Sequence, residues 1–196
     1  VAFVISHKYK FVYVHIPKTG GTSLCESEAY NRKRGGYLAN ILPSSDIAVP
    51  HQHPYFVAGL GFFKWATIRD PYDRFVSIYH DAVRRFGDRT FSEFVDEVAD
   101  RDVLDQDMIR WPQKGWVIDR AGRCLVDRFV DFKRMVEGSM EVLSSLGVPL
   151  IGEFPHKNKS DRRQWESYYT DGEREVVGRI YADDIEMYGE AFHRDM

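Results

Sequence analysis

Twice in the first half of the chain a β-branched, aromatic run stops against a strong helix start, and this rhythm limits the fold more than any other feature. The first run, YKFVYVHI at 9–16, contains no breaker and reads as a buried strand. After PKTGG, the segment TSLCESEAYNR at 22–32 reads as a helix with Thr22 or Ser23 near its N-cap. The second run, FKWATIRDP at 63–71, reads as a strand that ends at Asp-Pro. Asp70 is a good N-cap there and Pro71 a favoured first helical residue. Tyr72, Phe75, Val76, Tyr79, Val83 and Phe86 then recur at helical spacing, giving one apolar face.

The rhythm continues downstream. A short strand is expected within 46–53, a helix at 91–100, a strand at 125–132 and a helix at 133–147 ended by Gly147. Thr170 and Glu173 form a capping box for a last helix, with Val177, Ile180, Tyr181 and Tyr188 facing inward. Strands alternating with helices predict an α/β fold, a three-layer sandwich around a mostly parallel central sheet. With no internal repeat and no Pro/Ser-rich linker, residues 1–196 read as a single domain.

In such sheets ligands sit at the carboxyl ends of strands, where the next helix offers free N–H groups and a partial positive charge. The stretch HIPKTGGTS places Lys18, Thr19, Gly20, Gly21, Thr22 and Ser23 at that point. The glycines let several N–H groups point into one concavity, Lys18 adds a full charge, and Thr22 and Ser23 add hydroxyls. This pattern suits a phosphate or a sulfate. The Walker loop is absent, because its lysine follows the glycines whereas Lys18 precedes them. A nucleotide or small-molecule kinase is therefore disfavoured.

Composition decides how an anion can be held. The net charge is −3, so binding must come from local donors, and a general nucleic-acid binder is not expected. The two cysteines, Cys25 and Cys124, make no disulfide framework and read as reduced thiols. No apolar run reaches the ~20 residues of a membrane span. No signal peptide is visible either, and a soluble, cytoplasmic protein is expected.

HIPKTGGTS resembles the 5′-phosphosulfate loop of sulfotransferases that use 3′-phosphoadenosine 5′-phosphosulfate (PAPS). TIRDPYDRFVSIYH at 67–80 resembles the same family's 3′-phosphate motif, in which an arginine ending a strand and a serine on the next helix share that phosphate. PHQHPYF, WPQ and PHKNKS add weaker matches in family order, and the likeness is to the carbohydrate type that includes heparan-sulfate 2-O-sulfotransferase. The compact length resembles a bacterial-style soluble member with a P-loop-like fold.

The resemblance implies PAPS as cosubstrate, PAP as product, no metal, and a small-molecule or saccharide acceptor. It implies that Arg69 and Ser77 hold the 3′-phosphate and that Lys159 and Ser160 fold over the nucleotide. The residues themselves allow other roles, since Arg69 could instead pair with Asp70 or Asp73, and the segment around Lys159 could be a solvated basic run. His51 and His53 are two residues apart and share a side if extended, and a neutral imidazole suits proton removal. The family likeness favours His53 as base, with His51 supporting it or contacting substrate, and places Gln113 of WPQ near the acceptor or the cleft wall. A module that binds PAP without turnover remains the alternative, and labelled sulfate transfer separates the two.

Overall fold

The computed structural model describes residues 2–25, 38, 49–50, 59–99, 110–150 and 163–192. The chain forms two compact units, one of Val1–Ile68 with Gly115–Lys159 and one of Arg69–Lys114 with Ser160–Met196.

The first unit is built on a five-stranded sheet of order β3-β1-β2-β4-β5. Its strands are β1 (Ala2–Ser6), β2 (Phe11–Val14), β3 (Val49–Pro50), β4 (Phe63–Ile68) and β5 (Arg128–Asp131). All four residues of β2 are buried, as its unbroken apolar sequence requires of a strand covered on both faces. β2, β4 and β5 run parallel, pairing Val14 with Ala66 and Ile68 with Asp131. The other side of the sheet is antiparallel, because β1 pairs with β2 and β3. The sequence reading had no strand at β1. A tight turn makes it: Lys10 adopts φ 56°, and Ser6 Oγ accepts the Tyr9 N–H at 3.1 Å.

Helix α1 (Gly21–Cys25) follows β2. Helix α2 (Pro71–Phe86) and helix α3 (Phe91–Ala99) belong to the second unit, and the short α4 (Lys114–Val117) starts at its last residue before the chain returns to the first. In the first unit a 3₁₀ turn, Phe132–Arg134, leads into α5 (Met135–Ser145). Val4, Phe11, Tyr13, Trp65 and Val130 of the sheet pack with Leu24, Val142 and Leu143. Gly138 permits this approach, since a Cβ there would meet Val130 Cγ1 at 2.7 Å. Cys124 is a free, exposed thiol.

In the second unit Asp70 Oδ1 accepts the N–H groups of Tyr72 and Asp73 at 2.9 and 3.2 Å, so the Asp-Pro signal starts α2 as the sequence predicts. Phe75, Ile78 and Ala82 of α2 pack with Phe94, Val95 and Val98 of α3 and with Val177 and Tyr181. Phe86 departs from its expected place in the core: it lies in the last turn before Gly87 and is 68% exposed. The expected last helix is two, α6 (Asp171–Ile180), with both halves of the Thr170–Glu173 capping box formed, and α7 (Ala182–Phe192). The break falls at Tyr181, whose buried hydroxyl donates to Arg110 O at 2.7 Å.

Candidate active site

In the first unit the expected anion cradle is a turn over 17–20 that leads into α1. Lys18 has φ 68° and Gly20 φ 82°, so two left-handed residues flank Thr19. Turns of mixed hand direct successive N–H groups to one side, which is what an anion needs. A lysine held in this region is strained by roughly 1–2 kcal/mol. Such outliers gather at ligand sites. Thr19 is fully buried and its hydroxyl donates to Ile16 O at 2.9 Å, leaving its backbone to serve the concavity. Ser23 is buried in α1 and its N–H donates to Gly20 O at 3.0 Å. Thr22 lies on the same helix. An ammonium, a turn of mixed hand and a helix start suit a tetrahedral anion, so these residues fit the phosphosulfate end of PAPS.

Packing behind the turn also demands the two glycines. A Cβ on Gly21 would fall inside the His15 ring, and one on Gly20 would strike Met135 Sδ and Phe132. His15 stacks on Tyr13 with ring centroids 6.5 Å apart and planes 12° from parallel. Loss of water around this ring holds its pKa down at about 4, so His15 is a neutral imidazole under the cradle at physiological pH.

In the second unit Arg69 is the residue that follows β4 in sequence, and it is 6% exposed. Its Nε donates to Asp73 Oδ2 at 2.7 Å, the i,i+4 pair that the sequence left open. A carboxylate on the Nε edge fixes the plane of a guanidinium. Ser77 sits half-buried on α2, two turns from its start. Gln113 was expected near the acceptor or the cleft wall, and its bonds run to the backbone of Arg69. The side chain is fully buried, with Oε1 accepting the Arg69 N–H at 2.9 Å and Nε2 donating to Arg69 O at 2.8 Å.

Asp184 supports this arrangement from α7. Its two oxygens accept the N–H groups of Gln113 and Lys114, each at 2.8 Å, and it lies 4.0 Å from Arg74. Burial pushes the Asp184 carboxyl above its ordinary range, against the pull of Arg74 and the two N–H groups. Arg74 also donates to Trp111 O at 2.9 Å. His51, His53, Lys159 and Ser160 lie outside the described residues.

A model of the sulfotransferase family matches residues 1–191, nearly the whole chain. The chain belongs to the sulfotransferase family. Comparison with curated proteins and with solved structures gives no match. As a PAPS-dependent sulfotransferase it is an enzyme of sulfuryl transfer. Among the described residues there is no group of three or more His, Cys, Asp or Glu able to hold a metal ion, and no helix is long and apolar enough to cross a membrane. Two parts of this sulfotransferase escaped the sequence reading. His15 stood inside the motif but read as strand. Asp184 carried no signal, being 71 residues from the Gln113 that it holds.

Proposed function

We propose that the protein transfers the sulfuryl group of PAPS in line to an acceptor hydroxyl of a carbohydrate or glycolipid and releases PAP. The observation that carries this reading is the turn at 17–20, with left-handed Lys18 and Gly20 placed directly after a parallel strand. Bound PAPS supplies an activated sulfuryl group whose leaving group is a phosphate. Lys18 and the N–H groups of 19–23 stabilise charge developing on the departing oxygen, as in phosphoryl transfer. Arg69 and Ser77 hold the 3′-phosphate, and Lys159 and Ser160 close over the nucleotide. His53 takes the acceptor proton, with His51 supporting it or contacting substrate. β2 and β4 are parallel neighbours in the first unit, and each motif follows one of them in the chain; one nucleotide held by both motifs is part of the proposal. One domain spanning 1–196 is part of the same proposal.

The test is an acceptor screen with sulfur-labelled PAPS, scored by label transfer and PAP release. Lys18→Ala should lower kcat about 10²–10³-fold while PAP affinity changes little. His53→Ala should lower kcat about 10²–10⁴-fold at saturating acceptor. Tighter control of binding than of turnover by Lys18, or near-normal turnover without His53, would sink the respective role.

A further inference from the structure

Gln113 closes a two-bond ring with the backbone of one residue, and that residue is Arg69. Arg69 stands where the ladder of parallel strands ends, since the last pair of β4 with β5 is Ile68 with Asp131. Arg69 is buried, and buried peptide groups require a partner. The Gln113 amide gives that peptide one acceptor and one donor. It is itself fixed, because Asp184 accepts its N–H and the Lys114 N–H, while Arg74 ties down Trp111 O. Asp73 grips the Arg69 guanidinium by Nε. Backbone and side chain of Arg69 are therefore each set by a separate buried group.

We infer that Gln113 is a positioning residue that aims Arg69 at the 3′-phosphate of the nucleotide. This rests on the reading of Arg69 as a phosphate ligand. Without the amide, the Arg69 peptide loses these two bonds and its guanidinium no longer meets a phosphate in a fixed two-pronged geometry. The loss falls on the 3′-phosphate alone.

The experiment measures dissociation constants of the full-length protein for PAP and for adenosine 5′-phosphate, which lacks the 3′-phosphate, together with the KM for acceptor. Arg69→Ala sets the scale by abolishing most of the preference for PAP. Gln113→Leu is expected to weaken PAP about 10–100-fold, to leave adenosine 5′-phosphate within about threefold, and to leave acceptor KM unchanged. Gln113→Glu keeps the acceptor for the Arg69 N–H and loses the donor to Arg69 O. It is expected to lose part of the preference, and it carries the test if the leucine variant does not fold. Equal weakening of both nucleotides would mark a merely structural role and overturn the proposal. So would a raised acceptor KM with unchanged PAP binding. If Arg69→Ala itself keeps the preference for PAP, the reading of Arg69 as a phosphate ligand fails, a result distinct from failure at Gln113.

Discussion

His15 shows how one side chain can constrain a turn by packing against the glycine that follows it. The ring lies between Tyr13 and the Cα of Gly21, and its pKa stands at about 4 because water has been removed from around it. The sign of the linkage follows directly. Between the ordinary imidazole value of 6.5 and about 4, the unfolded chain takes up a proton that the folded chain refuses, so stability falls as pH drops through that window. The slope is at most about 1.4 kcal/mol per pH unit. Thermal melts at pH 7.5 and pH 5 should show a larger loss of Tm for the native protein than for His15→Gln, and equal losses would refute the neutral imidazole. The same contact makes Gly21→Ala an overpacking change that costs about 1–3 kcal/mol. Adding His15→Ala to that variant should return part of the loss in a urea titration. Failure of the second change to help would show that the glycine is needed for something other than this ring.

Two helices start from caps of equal chemical quality but unequal consequence. Asp70 caps α2, which carries Ser77, and Thr170 caps α6, on which no candidate ligand residue was placed. Replacing either by Ala should cost roughly 1 kcal/mol in chemical denaturation. Only Asp70→Ala should also weaken PAP, because Arg69 and Ser77 bracket that cap; equal effects on PAP from both variants would argue against this placement. Local signals of this kind are why α2, α3, α6, β4 and both motifs were legible in the sequence, since each is written within a few residues. What was not legible depends on distant partners. β1 is a strand because it pairs with β2 and β3, and Phe86 loses its core place because its stripe outlives the packing by a turn. Gln113 bonds to Arg69, a residue 44 positions away, which no local pattern announces. Periodicity reports which face of an element is apolar, and it does not report what lies opposite.

At the scale of the whole molecule the open question is whether the two compact units act as one domain. Their compositions offer separate probes. Trp65 and Trp116 belong to the first unit and Trp111 and Trp165 to the second. Among the described residues the helices α2, α3, α6 and α7 lie in the second unit, whereas α5 is the one helix of comparable length in the first. A Trp111→Phe/Trp165→Phe variant therefore reports the first unit by fluorescence, while its far-ultraviolet dichroism weights the second. For a single domain the two probes must melt together, since coincident transitions are the signature of two-state unfolding. A nucleotide held by both motifs must then move them together. PAP at a hundred times its Kd stabilises the native state by about 2.7 kcal/mol, which raises Tm by about 5–11 °C for a chain of this size. Equal upward shifts of both probes are the expected result. A shift confined to the fluorescence would leave Lys18 holding the nucleotide without Arg69, and a shift confined to the dichroism would leave Arg69 holding it without Lys18. Either outcome would end the proposal of one nucleotide held by two motifs.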